Sequence, residues 1–251
     1  MRQGLARHGI IAGIHDPTRV IDCDLAVFWG HRRSEIIARQ RCTGRRYLVM
    51  ERGYLGDRHK WTSLAYDGLN GHGQFYVPTP VTEARFVLHH AELMKPWRKP
   101  AGGYALIMGQ VPGDASLKGQ DLAPWYRRIA GMIERQHRCQ VLFRPHPQAV
   151  SKGILCRTGL QEDRSELSEA LQGAAFVVTF NSNSAVDAVL AGVPAIVFDQ
   201  GSMAWPVCGH DLGQIVMPDR MEWAARLAWC QWTLDEIADG SAWDVLQKGI
   251  Q

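Results

Sequence analysis

Six short, mostly apolar runs punctuate the chain, at residues 26–29, 46–50, 104–108, 140–143, 175–179 and 194–198. Alternating polarity would mark strands with one wet face. Continuous apolarity instead marks strands covered on both faces, as in a parallel sheet under helices. Between these runs lie stretches with helical spacing. One covers 121–134 with apolar positions Trp125, Ile129, Met132 and Ile133, a second covers 165–171, and a third covers 183–191. The third is stopped by Gly192 and Pro194, with Gly192 as its C-terminal cap. The alternation of strand and helix from 104 to 198 predicts βαβ units and an α/β fold. Helical spacing returns over 221–238, at Trp223, Leu227, Cys230, Leu234 and Ile237, and predicts a helix whose tryptophans serve core or inter-domain packing.

Residues 95–103, rich in Pro, Gly and charge, read as a linker. The expected domains are therefore 1–98, an N-terminal α/β domain, and 99–251, a C-terminal α/β domain whose last helices pack back. With 251 residues, 46% apolar and 21% charged, the chain has the composition of a globular protein. Its apolar runs are far shorter than the ~20 residues of a membrane span. No apolar segment of signal-peptide length follows the basic start, so a cytoplasmic location is expected. The six cysteines are scattered without C-x-x-C pairs or zinc spacing, which predicts free thiols and no metal site. Charge is uneven: residues 1–60 carry 12 Lys and Arg against 6 Asp and Glu, and the remainder carries 16 against 19. Such a basic first quarter suits an anionic partner.

Candidate chemistry gathers behind the apolar runs of the second half, where open parallel sheets bind ligands. After 104–108 comes a glycine-containing loop with Gln110, Asp114 and Ser116. Asp114 is suited to act as a general base toward a hydroxyl, or to hold a tight turn. After 140–143 comes Arg144-Pro145-His146-Pro147, in which two prolines fix the direction of His146 beside a guanidinium able to meet a phosphate. After 175–179 come Asn181, Ser182, Asn183 and Ser184, more small polar residues than one helix cap requires, and a place for an anion. Neither a Walker A loop nor a GxGxxG turn is present, which points away from NTPases and dinucleotide enzymes and toward a nucleotide-sugar site. In the first half, Glu51, Arg52, Asp57 and Arg58, followed by Asn70 in a second glycine-rich turn, are candidates for an acceptor wall.

In order, Gln110-x-x-x-Asp114, His146-Pro147 and Asn181-Ser182-Asn183-Ser184 ahead of Ala191-Gly192-x-Pro194 resemble the nucleotide-binding half of capsule-type Kdo transferases. There is a more distant likeness to GT-B sialyltransferases. The stretch 51–58 is similar to small phage-encoded glycosyltransferases. The resemblance implies a compact GT-B architecture of two Rossmann-like parallel-sheet domains with a trimmed N-terminal one. It also implies a nucleotide-sugar co-substrate, with no cofactor and no metal. Asp114 and His146 would be catalytic, and Gln110, Ser116, Arg144, Asn181, Ser182, Asn183 and Ser184 would bind the donor. The acceptor expected first is a hydroxymethylpyrimidine in phage DNA, given the basic N-terminal segment. The alternatives are a capsule or surface saccharide, a non-catalytic nucleotide-sugar-binding module, and an epimerase or hydrolase on the same scaffold.

Overall fold

The computed structural model describes residues 1–16, 19–100, 102–154 and 156–250. In chain order its elements are α1 (Arg2–Arg7), β1 (Leu25–Trp29), α2 (Ser34–Cys42), β2 (Arg46–Arg52), β3 (Trp61–Tyr66), α3 (Ala84–His90), β4 (Tyr104–Met108), α4 (Ala123–His137), β5 (Val141–Arg144), α5 (Pro147–Ser151), α6 (Leu167–Gly173), β6 (Ala174–Thr179), α7 (Ser184–Leu190), β7 (Ala195–Val197), α8 (Met221–Ala228), β8 (Gln231–Thr233), α9 (Leu234–Asp239) and α10 (Ser241–Leu246). All six apolar runs are strands, and the fold class is α/β. The chain divides into two compact units, Met1–Ala91 with Met221–Gln251, and Glu92–Arg220.

The second unit carries a parallel sheet in the order β5-β4-β6-β7. Helix α4 covers it with Tyr126, Ile129, Ala130 and Ile133, all nearly solvent-free, packed in one core with Ala105, Ile107, Val141 and Phe143 of the strands. Burying a side chain such as Ile133 stabilises the fold by roughly 1.5–3 kcal/mol. Met132, expected on this apolar face, is 37% exposed instead, because the stripe runs through Tyr126 and Ala130. Segment 95–98 is no loose linker. Its backbone bonds Leu190 and Gly192, Trp97 donates to the Pro218 carbonyl, and Arg98 donates to those of Leu171 and Gln172. These contacts move the boundary from 98/99 to 91/92.

The first unit carries a sheet in the order β1-β2-β3-β8. Only β1 and β2 are parallel, joined through α2. Strand β3 runs antiparallel to both β2 and β8, since the short connection 53–60 reverses the chain. The helix expected over 221–238 is in fact α8, strand β8 and α9. The tail assigned by sequence to the second domain completes the first sheet, with Trp61 opposite Thr233. Its tryptophans pack as expected: Trp232 and Trp243 lie in the core with Leu48, Leu64 and Tyr66. Gln231 takes the backbone N–H groups of Tyr54 and Leu55 on Oε1, at 2.6 and 2.9 Å. Gly53 leaves it room, because a Cβ there would sit 2.8 Å from that oxygen. Arg85 pairs with Glu236 (2.9 Å) across the faces of Trp229 and Trp232. Among the described residues, no helix is long and apolar enough to cross a membrane.

Candidate functional site

In the second unit, the loops at the carboxyl ends of β4, β6 and β7 are joined by one side chain. Asn181 is 2% exposed. Its Oδ1 accepts from Gln110 Nε2 at 2.6 Å, and its Nδ2 donates to the Ser116 carbonyl at 3.1 Å and to Asp199 Oδ1 at 2.8 Å. Gln110 Oε1 accepts the Asn181 N–H at 3.0 Å, and the Gln110 N–H donates to the Tyr126 hydroxyl at 2.9 Å. Burial pushes the Tyr126 phenol pKa up, so it serves as a neutral acceptor. Gln110 and Asn181, expected to touch the donor, are both buried and hold the loops together. The amides of both are spent on protein partners.

Asp114 lies at the surface of this network. It caps the 3-10 turn 115–117, its Oδ1 accepting the Ser116 N–H at 2.9 Å and the Ser116 hydroxyl at 2.7 Å. Among the described residues Oδ2 takes no hydrogen bond, so half the carboxylate is held in place while the other half keeps its basic lone pairs. Ser182 directly follows Asn181. Its Oγ accepts both the N–H and the hydroxyl of Ser184, at 3.2 and 2.8 Å. An oxygen engaged twice as acceptor presents its own proton outward, as a donor. Asn183 occupies the N-cap position of α7 beside it, without a side-chain capping bond to the helix.

The β5 loop is tied to the β4 loop where Gly109 N–H meets the Arg144 carbonyl at 2.8 Å. A Cβ on Gly109 would lie 2.8 Å from the Phe143 ring, so the close approach requires glycine. His146 caps α5, its Nδ1 accepting the Gln148 N–H at 3.1 Å. An accepting Nδ1 fixes the tautomer with the proton on Nε2. Arg144 pairs with Asp163 at 3.4 Å, with both side chains little exposed, and donates to the Ser165 carbonyl. These partners hold its guanidinium at the end of β5.

Two hollows lie in this unit. One of about 250 Å³ is walled by Gln110, Pro112, Leu117, Leu122 and Tyr126; a more open one of about 470 Å³ lies over 153–162. Asp114, His146 and Ser182 line neither of these two hollows; hydrogen bonds and neighbouring strands link their loops. Among the described residues no cluster suits a metal ion. In the first unit, Glu51 and Arg52 end β2, while Asp57 accepts the His59 N–H in the turn that also holds Arg58. Asn70 corrects the expected acceptor set: it is 9% exposed and takes the buried Tyr54 hydroxyl at 3.3 Å. Asp199 escaped the sequence reading, although it follows the sixth apolar run as the other candidates follow theirs.

No protein-family model matches the chain, and no curated protein matches it in sequence. The fold has known counterparts. A beta Kdo 2,4 transferase, KpsC of Thermosulfurimonas dismutans, matches with a TM-score of 0.57 and 15% identity over 80% of this chain and 78% of its own. A beta Kdo 2,7 transferase, also KpsC of that organism, matches with a TM-score of 0.54 and 14% identity over 90% and 85%. The chain thus has a Kdo-transferase-like GT-B fold. At this identity the likeness concerns architecture, and the chemistry must be argued from the residues.

Proposed function

We propose that this chain is a glycosyltransferase of the Kdo-transferase type, moving a sugar from a nucleotide-sugar donor to a saccharide hydroxyl. The observation that carries the reading is the Asn181 junction, which fixes the loops bearing Asp114 and Ser182 at the carboxyl edge of a parallel sheet, where such folds bind nucleotides. In this reading Asp114 Oδ2 takes the acceptor proton as the hydroxyl oxygen attacks the anomeric carbon. The bond from that carbon to the phosphate oxygen breaks, and the nucleotide leaves with the electron pair. His146 Nε2–H and the Ser182 hydroxyl donate to the phosphate as charge builds there. Ser184 holds Ser182 in place through its N–H and hydroxyl, and no metal is invoked.

A saccharide acceptor is favoured over DNA, and part of the basic N-terminal charge is already matched within the fold. Arg39 and Arg45 share Asp22, and Arg46 pairs with Asp67. The fold likeness to two Kdo transferases supports the same choice. The test is nucleotide release from CMP-, UDP-, GDP- and ADP-sugars, with and without added glycan. Acceptor-dependent release by wild type, lost in Asp114→Asn, supports the proposal. Release without acceptor indicates the epimerase or hydrolase reading, and nucleotide binding indifferent to Asp114→Ala without turnover indicates a binding module.

A further inference from the structure

In the first unit, the parallel strands β1 and β2 end side by side, Trp29 opposite Met50. Trp29 is 50% exposed, an unusual state for the largest apolar side chain. The Arg52 guanidinium lies 5.6 Å from the centre of its ring. Between them Gly30, held by its N–H to the Met50 carbonyl and at φ +71°, has no side chain. Glu51 turns Oε2 into that opening, 3.8 Å from where a Cβ would stand, while its Oε1 takes the Arg52 N–H. Arg32 and Arg33 follow, exposed like Arg52. Among the described residues none of these three arginines has a carboxylate partner.

We propose that Trp29, Glu51 and Arg52 form a binding site for a carboxylated sugar ring. The aromatic face accepts the C–H face of the ring, Glu51 Oε2 accepts its hydroxyls, and Arg52 with Arg32 and Arg33 meets its carboxylate. Glu51 Oε2 can accept from the hydroxyls of a sugar ring, whereas a phosphodiester offers it no donor, and this sets saccharide above DNA. That the bound sugar is the acceptor rests on the glycosyltransferase reading; the binding itself does not.

The test is calorimetric titration with a Kdo disaccharide, a sialic acid dimer and trigalacturonate, each against its carboxyl-reduced form, with a 20-base-pair duplex as competitor. At least one carboxylated glycan is expected to bind tenfold or more tightly than its reduced form. Trp29→Ala and Arg52→Ala should each weaken it tenfold or more, and Trp29→Tyr should stay within threefold of wild type. Circular dichroism confirms that the Trp29 variants fold. Equal affinity for carboxylated and reduced sugars, binding unchanged in Trp29→Ala, or displacement by the duplex overturns the proposal. Donor turnover in the same preparations separates the two claims. Trp29-dependent binding in a protein that releases no nucleotide sinks only the glycosyltransferase reading, and Trp29-independent binding in a protein that turns over sinks only this site.

Discussion

Replacing Asn181 by Asp tests the junction with almost no change in shape. The substitution keeps the acceptor that faces Gln110 but removes both donors, to the Ser116 carbonyl and to Asp199. It also sets a second carboxylate at the 2.8 Å contact with the first. One neutral hydrogen bond is worth about 1 kcal/mol and one to a charged group about 1.5–3 kcal/mol. With the repulsion and the 2% exposure of the site, Asn181→Asp should cost about 3–5 kcal/mol, a large part of the ~5–15 kcal/mol typical of a whole domain. The new carboxyl has its folded-state pKa raised by burial and by Asp199, so protonation relieves it. The deficit should therefore be smaller at pH 5 than at pH 8. Urea unfolding followed by circular dichroism at both pH values measures this. Adding Asp199→Asn removes the like-charge contact and should restore at least about 1 kcal/mol. A single variant within about 0.5 kcal/mol of wild type, or a double variant with no recovery, refutes the junction as the element that fixes these loops.

Asp114→Asn preserves the cap on Ser116 and should leave the melting temperature unchanged while lowering sugar transfer by about 10²–10⁴-fold, as read by nucleotide release. His146→Ala loses both the α5 cap and the Nε2 donor, whereas His146→Asn keeps a capping oxygen. The two should share a loss of turnover, but only the alanine variant should lose about 1 kcal/mol in urea unfolding. Gly192, at φ +79°, would place a Cβ 2.1 Å from the Pro96 carbonyl, so Gly192→Ala should destabilise by about 2 kcal/mol or more on the same measurement. Burial raises the Glu236 pKa, but the hydrogen bonds from Arg85 and Thr233 outweigh it and hold the carboxyl below its ordinary value. Its contribution is complete above the unfolded pKa of about 4.3 and is lost as pH falls through the lower folded value. Glu236→Gln should thus cost roughly 1–3 kcal/mol at pH 7, and the two unfolding curves should converge toward pH 3.

What the sequence discloses of the fold follows from burial. Strands covered on both faces are mostly apolar, so β4 to β7 announce themselves, and the apolar runs of β1 and β2 do so although β1 is only partly buried. Strand β3 does not, because Trp61-Thr62-Ser63-Leu64-Ala65-Tyr66 has two hydroxyls in its middle although every residue is buried. Strand β8 is three residues long, inside a stretch whose apolar spacing continues the helical period. Local pattern holds no record of its pairing with β3. In the site, strand ends were legible, but not the partners of the side chains there. Nothing near Arg144 in sequence reveals Asp163, nor does the Asn70 turn disclose that Tyr54 lies over it. Trp29 read as the end of a strand, and only the sheet shows that its ring stays uncovered.

The first unit is interrupted in sequence: its sheet needs β8, at Gln231–Thr233, against β3. On a ribosome the intervening unit leaves the exit tunnel complete while its host still lacks a strand. Until the C-terminal segment emerges, β3 offers open backbone groups and the pocket for Trp232 stands empty, a surface that invites aggregation or a chaperone. That sheet cannot close before Gln231–Thr233 are made, and a chain cut short before Gln231 is expected to lose the earlier unit while keeping the later one.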